Sequence, residues 1–331
     1  MSTASELTGN ALVVSRPGGG EVLEVQDRVA PVPGPGDVLV EVTAAGVNFI
    51  DVYQREGVYP TPTPFVAGNE GAGVVVDVGD DVEGVRPGDR VAWPQTLGSA
   101  SRYAMAPAAT VVAVPDGVDL EVAAAVMLQG LTAHYLTTST YAVDTGTVAL
   151  VHAAAGGVGQ LLVQMVKNRG GSVVATAGSP EKCATAAGLG ADHVINYREV
   201  DDLAVEVRRL TGGLGVDVVY DGVGRDTFDA SLASLRPRGT LALFGAASGQ
   251  VPPFDLQRLN SGGSLFVTRP SLAYHMATRE ELEWRASEVL ASVADGSLHV
   301  HVGGRYPLTD AATAYADLEG RRTQGKLLLL P

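Results

Sequence analysis

Val148-Ala-Leu-Val-His-Ala-Ala-Ala-Gly-Gly-Val-Gly159 is the stretch of sequence that decides the fold. A short apolar run leads directly into Ala154-x-Gly156-x-x-Gly159, and an apolar segment with helical spacing follows. This order of strand, small-residue turn and helix matches the dinucleotide-binding fingerprint with alanine at its first position. The small residues let the backbone approach a pyrophosphate, whose charge then lies at the helix N-terminus. A tight turn without a ligand would share the glycine pattern, but the flanking strand and helix favour a dinucleotide.

The segments around this motif alternate between strand and helix patterns, which is typical of a doubly wound parallel sheet in an α/β protein. The predicted strands are 147–151, 172–176, 193–195, 217–220 and 240–244, and the predicted helices are 159–169, 180–189, 203–210 and 227–235. Right-handed crossovers would place the carboxyl ends of these strands along one edge, where ligands bind.

The regions on either side differ in pattern. Residues 10–115 contain short apolar runs separated by Pro and Gly, which predicts a compact β-rich domain. After Pro270 we expect a long helix at 279–294, then short strands near 299–302 and 326–330, returning to that first domain.

The end of the second predicted strand bears on the choice of cofactor. Ala177-Gly178-Ser179 holds no carboxylate where an NAD-selective site would bind the ribose diol, and Lys182 follows one helical turn later. A carboxylate would repel a 2′-phosphate, whereas an ammonium group attracts one. The sequence therefore favours NADPH over NADH, although Lys182 as an ordinary solvated lysine is the alternative.

Composition excludes several classes of protein. The chain has 331 residues and a formal net charge of -14, which disfavours nucleic acid and anionic membranes as partners. With Cys183 as its one cysteine it can form neither an intrachain disulfide nor a multi-cysteine zinc site, which fits a cytoplasmic setting. The most apolar stretch, 147–166, contains His152 and several glycines, so we expect strand, turn and buried helix instead of a membrane span.

Several motifs together carry a family resemblance. They are Ala44-Ala-Gly-Val-Asn-Phe-Ile-Asp51, Gly68-Asn-Glu-Gly-Ala-Gly73, Gly88-Asp-Arg-Val91, Leu128-Gln-Gly-Leu-Thr132, Val194-Ile-Asn-Tyr197, Val219-Tyr-Asp-Gly-Val-Gly224 and Val267-Thr-Arg-Pro-Ser-Leu272. With the turn at 152–159, they make nearly the whole chain resemble the medium-chain dehydrogenase/reductase superfamily. The similarity is to its zinc-independent quinone oxidoreductase branch, related to zeta-crystallin, and above all to the bacterial members.

The resemblance implies a GroES-like β-rich catalytic domain, a Rossmann domain with a doubly wound parallel sheet, and a homodimer. We accordingly divide the chain into 1–125 (catalytic domain, first part), 126–268 (Rossmann, NADPH-binding) and 269–331 (return to the catalytic domain). Asn48, Tyr53 and Gln129 are the candidate catalytic residues. The implied cofactor contacts are Phe49, Ile50, Asp51, Val52, Tyr53, Tyr135, Gly156, Gly157, Val158, Gly159, Gly178, Ser179, Lys182, Tyr197, Val223, Gly245, Ala246, Ala247, Ser248, Pro270, Ser271, Leu272 and Arg321.

Zinc enzymes of this superfamily carry a cysteine where this chain has Asn48 and a histidine where it has Asn69, so we expect no metal site. Without a Lewis acid a quinone is a suitable acceptor, because it is already electrophilic. Asn48 and Gln129 could donate hydrogen bonds to its carbonyl oxygen, and Tyr53 could donate a proton or stack on the ring. Alternatively, Asn48 only caps a turn and Tyr53 is a pocket wall. For Asp51 we expect anchoring of backbone amides and no acid–base role. Relatives carry a lysine at the position of Gln129.

The resulting prediction is NADPH-dependent, metal-free reduction of a quinone or similar conjugated carbonyl compound. One alternative is an NADPH-dependent alkenal or enone reductase acting on a carbon–carbon double bond. Another is a catalytically weak NADPH-binding protein, crystallin-like or RNA-interacting.

Overall fold

The computed structural model describes residues 7–331, which form two compact units. The β-rich unit comprises the chain up to Leu131 together with Met276–Pro331, and the Rossmann unit comprises Thr132–His275. The division expected from sequence lies a few residues away at both junctions. Among the helices of residues 7–331, none has both the length and the apolar character needed to cross a bilayer.

The helices and strands follow in chain order. The strands are β1 (Thr8–Val14), β2 (Leu23–Val29), β3 (Asp37–Val47), β4 (Phe65–Val66), β5 (Glu70–Val78), β6 (Arg90–Trp93), β7 (Tyr103–Pro107), β8 (Val112–Ala113), β9 (Val148–Val151), β10 (Ser172–Ala177), β11 (His193–Asn196), β12 (Val216–Asp221), β13 (Leu235–Leu243), β14 (Phe266–Thr268), β15 (Val302–Pro307) and β16 (Lys326–Leu330). The helices are α1 (Phe49–Arg55), α2 (Leu120–Tyr135), α3 (Gly157–Asn168), α4 (Pro180–Gly188), α5 (Leu203–Leu210), α6 (Phe228–Ser234), α7 (Gln257–Ser261), α8 (Arg279–Ala294) and α9 (Ala311–Glu319).

In the β-rich unit one sheet has the order β15-β16-β3-β5-β6-β8, with β7 paired to β3, and a smaller sheet has the order β2-β1-β4. The pairing brings three strand ends together, because Gly46 of β3 lies opposite Glu70 of β5 and Leu328 of β16. Asn48 follows β3, and Lys326 begins β16. Residues far apart in sequence therefore meet at one end of this sheet.

The Rossmann unit is built on a parallel sheet of order β11-β10-β9-β12-β13-β14. Its first turn after β9 is tight: Ala153 has φ 50°, and the Gly156 N–H donates to the carbonyl of Ala153 at 2.8 Å. A Cβ on Gly159 would lie 2.3 Å from the Ala153 oxygen, so only glycine lets α3 pack this closely. The α/β architecture predicted from sequence is confirmed.

Some elements differ from the prediction. The strand placed at 299–302 begins only at Val302 and runs to Pro307, so His299 and His301 lie outside it. Helices α1 and α9 and the edge strand β14 were not predicted. By contrast, α5, α8 and β16 have the predicted bounds.

A buried polar chain runs beneath the turn after β9. His152 Nε2 lies 3.0 Å from the Ser231 hydroxyl, which donates to Asp221 Oδ2 at 2.8 Å. Because the Ser231 proton is directed to Asp221, its oxygen accepts from Nε2. Burial lowers the pKa of His152, and the nearby Asp221 carboxylate offsets part of that effect, so the neutral ring is favoured. In that form Nδ1, 3.0 Å from the Thr176 hydroxyl, is the acceptor of that bond.

The His152 network makes stability depend on pH. Because the folded pKa lies below the ordinary value of 6.5, His152 contributes stability above that value and loses it as pH falls through the folded pKa. We expect the Tm of the native chain to fall more steeply than that of His152→Gln between about pH 7 and about pH 5. Parallel Tm profiles of the two proteins would contradict this assignment.

Candidate active site

The candidate cofactor residues of the Rossmann sheet all lie in loops or helix starts that follow its strands. The segment 156–159 follows β9, Gly178 to Lys182 follow β10, Tyr197 follows β11, Val223 follows β12, Gly245 to Ser248 follow β13, and Pro270 to Leu272 follow β14. Because the strands are parallel, these segments share one edge of the sheet. This edge is where doubly wound folds bind ligands.

The residues assigned to the 2′-phosphate end come together at β10 and β11. The Tyr197 ring covers Gly178 so closely that a Cβ there would lie 2.3 Å from the phenol oxygen. Ser179 is the N-cap of α4 and accepts from the Lys182 N–H at 3.4 Å. Ala177, Gly178 and Ser179 bring no carboxylate to the strand end. The helix N-terminus, a hydroxyl and an ammonium group are suited to bind an anion.

A second pair of loops is joined by hydrogen bonds. Asp221 Oδ1 accepts from the N–H groups of Val223 at 2.8 Å and Gly224 at 3.0 Å. The Ser248 hydroxyl donates to the Val223 carbonyl at 2.8 Å, and a Cβ on Gly245 would lie 2.3 Å from the Gly222 oxygen. These contacts bring Val223 and the segment 245–248 together.

Two other cofactor candidates, Tyr135 and Arg321, do not follow a strand of the Rossmann sheet. Tyr135 is buried and stacks on His275, with ring centroids 4.2 Å apart and an interplanar angle of 7°. Arg321 is exposed, follows α9 with φ 55°, and belongs to the β-rich unit. Neither lies in a loop that follows a strand of the Rossmann sheet.

Asn48 lies at the centre of a buried cluster in the β-rich unit. Its amide nitrogen donates to Glu70 Oε2 at 2.9 Å and to the Gly46 carbonyl at 3.2 Å, and its oxygen accepts from Lys326 Nζ at 2.6 Å. Both amide hydrogens are thus engaged by protein acceptors. This bonding leaves the Asn48 amide no hydrogen for the acceptor, which favours a structural role over the predicted role as a donor. The side chain holds its surroundings in place instead.

Asp51 anchors the start of α1. Its Oδ2 accepts from the Asn48 N–H at 2.8 Å, and its Oδ1 accepts from the Asn69 amide at 2.6 Å. Burial raises the pKa of Asp51 to about 6, and the hydrogen bonds from Asn69 and the Asn48 backbone offset only part of that rise. The carboxyl group is 4% exposed and faces protein donors, which fits the anchoring role.

Aromatic side chains project from α1. Tyr53 packs at 6.2 Å from the Phe49 ring and at 5.3 Å, edge to face, from the Tyr59 ring. Phe49, Ile50 and Tyr53 are half-buried, whereas Val52 is buried in the core. The exposed parts of Phe49 and Tyr53 offer a flat apolar surface to a planar ligand.

Gln129 is a half-buried residue of α2, and no hydrogen bond of its side chain occurs within residues 7–331. The preceding N–H, that of Leu128, donates to Glu70 Oε1 at 2.6 Å. Sequence reasoning did not single out Glu70 and Lys326, which complete the buried cluster around Asn48. The sequence did contain a sign of burial at Lys326. This residue is one of only three lysines in the chain and directly precedes a run of leucines.

Comparison with known proteins identifies the family. Residues 34–143 match the family model described as alcohol dehydrogenase GroES-like domain, and residues 157–288 match the one described as zinc-binding dehydrogenase. The chain is 45% identical to the quinone oxidoreductase of Salmonella typhimurium, over 95% of this chain and 97% of that protein. It is 41% identical to the 2-haloacrylate reductase of a Burkholderia species, over 97% and 98% of the two chains.

A solved structure adds a close structural match. A mycobacterial protein complexed with NADPH superposes with a TM-score of 0.94 at 49% identity, covering 98% of this chain and 100% of that one. The matches extend over both units. The chain therefore belongs to the quinone oxidoreductase family of the medium-chain dehydrogenase/reductase superfamily and is an oxidoreductase.

Proposed function

We propose that this enzyme uses NADPH to reduce quinones by hydride transfer without a metal ion. The observation that carries the proposal is the buried cluster at Asn48, which offers amides and an ammonium group where a Lewis acid would need thiolate or imidazole. In the reaction, a hydride leaves the dihydronicotinamide and adds to the quinone. Proton uptake then gives a hydroquinone and NADP⁺.

The choice of NADPH rests on the end of β10. Ser179 and Lys182 lie in the first turn of α4, and the Tyr197 ring lies beside them over Gly178. A 2′-phosphate placed there would meet helix N–H groups and the Lys182 ammonium group, although the exposed Glu181 carboxylate shares the same turn. The NADPH complex of the mycobacterial relative supports the same choice.

The residues present do not fit zinc, although one matching family model is described as zinc-binding. Asn48 Oδ1 is bonded to the Lys326 ammonium, and the Asn69 amide nitrogen donates to Asp51 and Gln54. Within residues 7–331, no group of three or more His, Cys, Asp or Glu side chains is arranged to hold a metal. These donors support a reaction with an acceptor that needs no Lewis acid.

Two side chains are suited to assist transfer. Gln129 can donate its amide hydrogen to a carbonyl oxygen as negative charge develops there. Tyr53 can stack on a planar ring, with its hydroxyl as a proton donor. Asn48 does not take part directly, because its amide hydrogens are already bonded.

A second candidate is reduction of a carbon–carbon double bond conjugated to a carboxylate or carbonyl group. The 41% identity to a 2-haloacrylate reductase favours it. Hydride addition to the β-carbon of such a substrate would place negative charge on a carbonyl or carboxylate oxygen, as in a quinone, and Gln129 is the proposed donor in both cases. The two reactions thus differ in acceptor and not in cofactor.

An acceptor panel tests the proposal. NADPH oxidation would be followed with benzoquinone, naphthoquinone, an alkenal, a haloacrylate and an enoyl thioester. We expect the highest kcat/KM for a quinone, because its reduced product is aromatic. A higher value for the haloacrylate would instead establish the second candidate.

Lys182→Ala tests the cofactor assignment. Losing a charge-assisted hydrogen bond of about 1.5–3 kcal/mol should raise the KM for NADPH roughly 10- to 100-fold. The KM for NADH should change little, since NADH lacks the 2′-phosphate. Lys167→Ala is the matched control, because that lysine pairs with Asp192 on another part of the surface. Equal effects on both cofactors would remove Lys182 from the 2′-phosphate site.

Treatment with chelators tests the metal-free mechanism. Dialysis against EDTA and phenanthroline should leave kcat unchanged, because Asn48 and Asn69 supply no strong zinc ligand. Metal content would be measured on the same samples. Loss of activity that zinc restores would contradict the proposal.

A homodimer is also part of the proposal. The edge strand β14 exposes 61% of Phe266, and Tyr274 beyond it is 84% exposed. An unpaired strand edge next to exposed aromatic groups is suited to pairing with a second copy.

A further inference from the structure

We propose that the buried ion pair between Glu70 and Lys326 is a positioning device that fixes Tyr53 and Gln129 relative to each other for hydride transfer. The inference rests on the proposed function and adds two residues to it. Neither residue touches the acceptor, since their side chains are 0% and 1% exposed. They act through the segments that they hold.

Glu70 joins three separate segments. Its Oε2 accepts from Asn48 Nδ2 at 2.9 Å and from Lys326 Nζ, and its Oε1 accepts from the Leu128 N–H at 2.6 Å. These donors lie before α1, at the start of β16 and within α2. One carboxylate at the start of β5 thus ties together the segments that carry both candidate catalytic groups.

Lys326 completes the device from the other side. Its ammonium donates to Glu70 Oε2 and, at 2.6 Å, to Asn48 Oδ1. The Asn48 amide is therefore held at its oxygen by a cation and at its nitrogen by an anion, which fixes its orientation. The two charges are opposite and almost without solvent contact, so the Glu70 carboxylate and the Lys326 ammonium group strongly favour this paired arrangement.

Gly46 closes the space around the pair. A Cβ there would lie 2.3 Å from Glu70 Oε2, 2.7 Å from Lys326 Cε and 2.8 Å from the Ala124 carbonyl oxygen. The backbone of β3 thus packs directly against both charged side chains. This close packing restricts the movement of the pair on the side of β3.

The held segments bear on the chemistry. Asn48 caps α1 and is five residues before Tyr53, about 1.4 turns along that helix. Leu128 directly precedes Gln129 in α2. A displacement of about 1 Å between reacting groups can reduce a rate about 100-fold, so fixing these two segments affects kcat more than cofactor binding.

A purely structural role is the competing explanation, and the double variant Glu70→Gln/Lys326→Met separates the two. Lys326→Met alone leaves an unpaired buried carboxylate and should lower both Tm and kcat. The double variant removes both charges, so Tm should recover relative to the single variant. If the pair positions the site, kcat should remain roughly 10- to 100-fold below that of the native enzyme.

The measurements use the full-length protein and the acceptor that it reduces fastest. We expect the double variant to keep a near-native dissociation constant for NADPH, because the segments proposed to hold its pyrophosphate and 2′-phosphate, 156–159 and 178–182, lie in the Rossmann unit. Its primary deuterium isotope effect with 4-deuterated NADPH should rise as hydride transfer becomes slower. Lys167→Met/Asp192→Asn, which removes an ion pair at another place, is the control and should retain native kcat and isotope effect.

The outcomes are distinct. A double variant whose kcat and isotope effect return to native values together with its Tm would overturn the inference and leave the proposed function standing. A native enzyme that oxidises NADPH with none of the acceptors would overturn the function and the inference with it. Low kcat, a raised isotope effect and unchanged NADPH affinity in a stable double variant support the positioning role.

Discussion

A pair of opposite charges almost without solvent contact, Glu70 and Lys326, is the constraint on which the β-rich unit depends. An isolated charge in such a place would be strongly unfavourable, so each side chain requires the other. Their hydrogen bonds to Asn48 and Leu128 extend that requirement to two further segments. All of these hydrogen bonds can form only if the ends of β3, β5 and β16 meet, as they do around Gly46.

The Rossmann unit also buries polar groups, and its turn after β9 is held by a network that contains a neutral histidine. Its turn after β9 depends on the absence of a side chain at Gly159, where α3 touches the Ala153 carbonyl. The chain of His152, Ser231 and Asp221 then ties that turn to the loop that carries Val223. A neutral His152 ring has one N–H donor and one nitrogen acceptor, and each faces a hydroxyl group. A charged ring would instead present two N–H donors to the two hydroxyl groups.

Local signals explain which parts could be predicted from sequence. Helices α5 and α8 have caps at Asp202 and Thr278, and their bounds were predicted correctly. Helix α1 was missed because its seven residues are rich in aromatic and β-branched types, and its start depends on Asp51 bonding the Asn48 N–H. The role of Asn48 could not be predicted because its partners, Glu70 and Lys326, are 22 and 278 residues away.

The net charge of the chain bears on which cofactor and acceptor can approach the site. The chain carries a net charge of -14, so an anionic cofactor approaches against repulsion and needs local groups such as Lys182 and the start of α4. The Glu70–Lys326 pair adds no net charge to its surroundings, and Asp51, with a pKa of about 6, is the other buried carboxyl group of the cluster. An uncharged quinone meets no such repulsion, whereas an anionic acrylate would. The electrostatics of the chain therefore favour a neutral acceptor over a charged one.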